Sequence, residues 1–130
     1  MGSFTDYLEN KVLDHVVGKT SYTMPSVWVA LFTAAPSDAG GGTEVSGGSY
    51  ARKSTAGTDW TAASGGATSN ANAITFITPT GSWGTVTHFA LMDASTAGNM
   101  LAWSALNTPQ AISTGNTVSF AIGDLDITLD

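Results

Sequence analysis

With no cysteine among its 130 residues, the chain has no thiol nucleophile, no thiolate zinc site and no disulfide staple. Any chemistry it carries must fall to histidines, carboxylates and hydroxyls. His15 and His88 stand far apart among apolar neighbours, with no His-x-x-His or His-Glu pairing beside either. A metal-binding or catalytic histidine needs partners, so both are expected to be packed or surface residues. Asp124 and Asp126 lie two apart and on a strand would share a face; with Asp130 they could collect a hard cation such as calcium. Calcium sites usually draw on loop carbonyls and more carboxylates, so a wet acidic face that discourages edge-to-edge pairing is the preferred reading. Gly18-Lys19-Thr20 imitates the end of a phosphate-binding loop, but the first glycine would fall on Leu13, and the trio follows a helix instead of opening one. Gly81-Ser82-Trp83-Gly84 has the wrong spacing for a nucleophile elbow. No two acids stand out as a glycosidase couple. The expectation is a protein without catalytic residues, cofactor or metal.

The aromatic residues say more. Trp28, Phe32, Phe76, Phe89, Trp103 and Phe120 fall in segments that read as strands and are expected in the core. Tyr50 and Trp60 flank a Gly- and Ser-rich stretch, and Trp83 sits between Gly81 and Gly84 at a turn. A tryptophan in a polar loop either folds over the end of a β-sandwich or anchors an interface, where it is a preferred hot-spot residue. Tyr50, Arg52, Trp60 and Trp83 are therefore the candidate interaction residues.

The elements that must hold these residues follow from periodicity. Ser3 to Val17 reads as one amphipathic helix: Ser3 can cap it, Asp6 stands in a capping-box position and Gly18 can end it. Phe4, Leu8, Val12 and Val16 recur every fourth residue, which lays the helix on the domain's own sheet or on a partner. From Pro25 onward the texture is that of short strands and turns. Val27 to Thr33 is apolar on both faces and so covered on two sides. Ala73 to Thr78 places Ile74 and Phe76 on one face, and Val86 to Met92 with Met100 to Leu106 form a hairpin. Val118, Phe120 and Ile122, then Leu125, Ile127 and Leu129, alternate with polar or small residues, giving two strands with one dry face each. The stretches 35–48 and 57–72 read as long surface loops. The whole is expected to be all-β, an antiparallel β-sandwich or jelly-roll-like domain with one N-terminal amphipathic helix. It is read as a single domain over 1–130, the helix at 3–17 and the sandwich at 25–130.

Four Lys and Arg against ten Asp and Glu give a net charge of −6, and charged residues make up only 11% of the chain, against about 25% in ordinary globular proteins. Phosphate neutralisation needs clustered cations, so nucleic acid is disfavoured as a partner. There is no run of about 18 apolar residues and no signal-peptide core, so no membrane partner is expected and synthesis is placed in the cytoplasm. A surface of Ser, Thr, Ala, Gly and Asn has few long side chains to immobilise when a neighbour covers it. Permanent assembly suits it.

Several stretches are also specific enough to compare with a known family. Leu31-Phe32-Thr33-Ala34-Ala35-Pro36-Ser37-Asp38-Ala39-Gly40-Gly41-Gly42-Thr43-Glu44-Val45, with Tyr50-Ala51-Arg52 after it, resembles a family of small tailed-bacteriophage virion proteins. So do Phe4-Thr5-Asp6-Tyr7-Leu8-Glu9, Trp83-Gly84-Thr85-Val86-Thr87-His88-Phe89 and Gly123-Asp124-Leu125. Members are described as minor capsid or decoration proteins and as tail-fibre proteins, so the resemblance implies virion structure and brings no catalytic residue with it. A tail-fibre subunit would more often carry repeats or a trimerising coiled coil, and this chain has neither. The expectation is accordingly a capsid decoration (cement) protein on the capsid exterior, self-associating and bound to the major capsid protein or other virion proteins. The alternative is a tail-fibre or baseplate tip whose Trp60 and Trp83 stack on a host surface glycan. A tail-associated glycan hydrolase is a third class, without an acid pair to support it.

Overall fold

The structure, a computed structural model, describes residues 3–129. Strand β1 (Ser3–Phe4) leads into helix α1 (Asp6–Val16), and β2 (Val27–Ala34), β3 (Thr43–Glu44) and β4 (Lys53–Thr55) follow. After a single 3-10 turn at Gly57–Asp59 come β5 (Ala67–Ser69), β6 (Ile74–Thr75), β7 (Gly84–Met92), β8 (Met100–Ile112), β9 (Ser119–Phe120) and β10 (Asp126–Thr128). The main sheet runs β1-β8-β7-β2-β3, with β4 also paired to β2, and every pairing is antiparallel. Two ribbons, β5 with β10 and β6 with β9, complete the strands. The expected all-β architecture with one N-terminal helix is what the chain adopts.

Alternation explains the layering. On β2, Val29 and Leu31 point to one side and Ala30 and Phe32 to the other, and all four are buried. Val29 and Leu31 join Val86, Phe89 and Ala102 of the sheet against Ile74, Phe76, Leu125 and Ile127, which come from the ribbons and their flanks. The ribbons thus act as the second layer of a lopsided sandwich. Ala30 and Phe32 pack with Ala90, Met92, Met100 and Trp103 on the other side of the sheet. Burying a Leu, Ile or Phe side chain contributes roughly 1.5–3 kcal/mol, so this double-faced β2 is the mechanical centre.

The start of the chain differs from expectation. Ser3 is in β1, opposite Trp103, and the helix begins later, with Thr5 as its cap. Thr5 is buried; its hydroxyl accepts from the Leu8 amide at 3.4 Å and donates to the Met100 carbonyl at 2.6 Å. One side chain therefore closes the helix and fastens it to β8. At the other end Gly18 (φ +77°) donates to the His15 carbonyl and Lys19 to the Asp14 carbonyl, the paired bonds of a Schellman stop, as the glycine suggested.

The C-terminal strands are shorter than their alternation implied. Leu125 and Ile127 are buried, but Ile122 and Leu129 are exposed. Asn70 is the reason. Its buried amide donates to the carbonyls of Asn72 and Ala121, both at 2.9 Å, and its oxygen accepts from Leu125 N at 2.9 Å. With Asp124 Oδ2 accepting from Ala121 N and Gly123 at φ +83°, the chain turns at 121–124 and throws Ile122 outward. Asp124 is thus in a turn while Asp126 is on β10, and Asp130 lies outside the described residues. The loops at 35–48 and 57–72 likewise hold β3 and β5.

Candidate functional site

Arg52 is where the polar side chains converge. Its guanidinium meets the Glu44 carboxylate through two bonds of 2.8 Å, Nε to Oε2 and Nη2 to Oε1. Nη1 then donates to the carbonyls of Ala94 and Ala97, each at 2.8 Å. Tyr50 completes the network, its hydroxyl accepting from Leu31 N at 2.9 Å and donating to Glu44 Oε2 at 2.8 Å. A planar fork matched to a carboxylate is the strong form of an ion pair, and here it joins β3 to the turn between β7 and β8. The Arg52 side chain is only 7% exposed. Burial of Glu44 works to raise its pKa, yet the hydrogen bonds from Arg52 and Tyr50, with the charge of Arg52, outweigh it and hold the carboxyl below its ordinary value. Burial, chiefly, drives the Tyr50 hydroxyl far above the usual range, so it stays protonated and donating.

Trp83 sits beside this network, 3% exposed. Its indole Nε1 donates to the Gly48 carbonyl at 2.9 Å, and its ring takes Tyr50 edge-on at 5.2 Å and Phe76 at 6.5 Å. Gly48 is obligatory there: at φ +55°, a Cβ would stand 2.7 Å from the Gly81 carbonyl oxygen. Trp60 is half-buried against the same core and donates from Nε1 to Thr55 Oγ1 at 3.0 Å. Of the four candidate interaction residues, then, Tyr50, Arg52 and Trp83 meet in one internal network and Trp60 packs separately. Trp83, closed into the core, presents no face to a sugar ring. Tyr50, Arg52 and Trp83 thus find partners within the chain, while the Trp60 ring stays partly exposed.

The groups considered for other chemistry stay dispersed. His15 accepts from Tyr22 N through Nδ1, and His88 bonds Thr87 and lies tilted against Trp103. Among the described residues there is no group of three or more His, Cys, Asp or Glu able to hold a metal ion, and no helix long and apolar enough to cross a membrane.

Two surfaces do face outward. On the first, Leu13, Val16 and Val17 at the end of α1 are 61%, 72% and 74% exposed. Only Leu8 of the helix is buried, so the expected packing on the protein's own sheet holds for the first turn and fails for the last. The second is a groove of about 690 Å³ between β8 and the 115–120 segment, among whose lining residues are Asn107, Thr108, Gln110, Asn116, Thr117 and Phe120. Sequence reasoning missed it. The available signal was a stretch from Ala94 to Gly123 without one charged side chain.

No curated protein matches the chain. A family model described as Podophage GP4 fiber I protein gp80 matches residues 3–128, from β1 to the end of β10. That span takes in Glu44, Tyr50, Arg52 and Trp83, the residues of the locked network. The chain therefore belongs to the family of the podophage GP4 fiber I protein gp80, a family of tailed-phage virion proteins.

Proposed function

We propose that the protein is a non-enzymatic fibre component of a tailed-phage virion, working by packing against other virion proteins and against further copies of itself. The family match over residues 3–128 carries this reading. The exposed apolar end of α1 supports it, because Leu13, Val16 and Val17 stand at helical spacing on one face and lie mostly in water, as on a surface that an assembly covers. A sparsely charged, hydroxyl-rich exterior fits the same role.

Capsid decoration is the second reading, and one observation favours it: these residues show neither the repeats nor the heptad pattern of an extended fibre shaft. The two readings separate on one experiment. Purified particles are disrupted so that heads part from tails and fibres, and the fractions are probed for this protein. Recovery with the tail and fibre fraction is expected. Recovery with emptied heads, together with saturable binding of purified protein to bare shells and raised shell heat resistance, would establish decoration instead.

A further inference from the structure

Strand β8 breaks its ladder at one place. Val86 pairs with Gln110 and His88 with Ala105, so the four residues Leu106 to Pro109 stand opposite the single Thr87. Pro109 has no amide hydrogen to give the ladder, which suits it to an irregular edge. Bulges of this kind re-aim side chains, and they concentrate beside binding and catalytic sites. Here the bulge forms one wall of the 690 Å³ groove, and the loop after Ile112 forms the other.

We propose that this groove binds an uncharged oligosaccharide. Its volume lies within the roughly 300–1,000 Å³ of ordinary ligand sites. Asn107, Asn116 and Thr117 line it, exposed to solvent, and their side chains make no hydrogen bond to the rest of the described chain. Two amides and a hydroxyl offer donors and acceptors together, the pattern that matches sugar hydroxyls, which are themselves both. Phe120 and Leu106, each half-buried, supply the apolar surface against which the C–H face of a sugar ring rests. Phe120 is held in place by an edge-on contact with Phe76 at 6.1 Å. No Lys, Arg or His lines the groove, and its one charge is Asp124, so sulfated, phosphorylated and carboxylated ligands meet repulsion without a counter-ion. The groove lies in a different part of the sequence from Trp60 and Trp83, the residues first expected to stack on a glycan, and amides lead in it.

The full chain, labelled for amide NMR, is titrated with neutral oligosaccharides of differing linkage drawn from an array screen; sialylated and sulfated members form the acidic arm and an extended uncharged peptide the third. Neutral sugars are expected to shift the signals of Asn107, Asn116, Thr117 and Phe120 and leave Trp60 and the helix unmoved. The double variant Asn107→Leu/Asn116→Leu should weaken that binding about tenfold, the loss of two ordinary hydrogen bonds, while its core signals stay in place. Absence of groove shifts with every neutral sugar would overturn the proposal. So would equal binding of the acidic arm, saturable binding of the peptide in the same groove, or sugar binding undiminished in the folded double variant. The inference extends the fibre reading without deciding it, since particle fractionation tests location whatever the groove binds.

Discussion

Beside β3 and β4, Arg52, Glu44 and Tyr50 hydrogen-bond one another and Trp83 packs edge-on against Tyr50; at the bulge of β8 and the last turn of α1, amides and apolar side chains face water. The first region holds the residue types most often met at binding hot spots, an arginine, a tyrosine and a tryptophan. The second holds Asn, Thr, Val and Leu, which attract no notice in a sequence. The difference teaches that residue type marks recognition only where the fold has not already supplied a partner. Arg52 has two carbonyls and a carboxylate, and Trp83 has Gly48 and two rings. The side chains of Asn107 and Asn116 have neither, and those of Leu13, Val16 and Val17 lie mostly exposed.

This contrast can be broken most forcefully at Trp83. Replacing it with Ala should destabilise the fold by about 3–5 kcal/mol, the range for a buried aromatic residue, because the change opens the core and removes the indole donor to the Gly48 carbonyl, which keeps only the Thr80 amide. Chemical denaturation measures it, and a loss under about 1 kcal/mol would place Trp83 at the surface after all.

Arg52→Ala comes next, at about 3 kcal/mol, the lower end for breaking a buried ion pair, since Glu44 keeps some contact with water while the Ala94 and Ala97 carbonyls lose their donor. Amide exchange should quicken in the 93–99 turn before it does so in β2. Uniform quickening would mean that Arg52 holds no particular part of the molecule.

Acid offers a subtler probe of the same region. The folded-state pKa of Glu44 is lowered, so its stabilisation is fully present above the ordinary value of 4.5 and is lost as pH falls through the lower folded value. On acidification below pH 4.5, the melting temperature of the wild type should therefore fall more steeply than that of Glu44→Gln. Parallel curves would show that the carboxylate is not stabilised by folding.

At the smallest end of the scale stands the outward-facing helix. Val16→Ser and Val17→Ser should each alter stability by no more than about 0.5 kcal/mol, as surface changes do. A larger loss in the isolated protein would mean that α1 is packed along its whole length.

Much of this was legible beforehand, for identifiable reasons. The alternation Leu125–Ile127 and the pair Ile74 and Phe76 gave their dry faces correctly, because one buried face constrains a strand locally. Both faces of β2 and the β7–β8 hairpin were legible on the same ground. What failed depended on partners distant in sequence. Thr5 displaced Ser3 as the cap because Met100, far along the chain, accepts its hydroxyl. Ile122 left the dry face because Asn70 draws the chain into a turn. The site was the least legible part, since the burial of Trp83 rests on a glycine approach from Gly48, and the bulge at Leu106 to Pro109 shows only once its ladder partners are known.

The central claim, that the chain is a fibre component, is tested most directly by imaging intact particles by electron microscopy with an antibody fragment against this protein. Label confined to fibres, and absent from particles that lack the gene, is the predicted result. Label distributed over the capsid surface with the symmetry of the shell would contradict it and make the protein a decoration subunit.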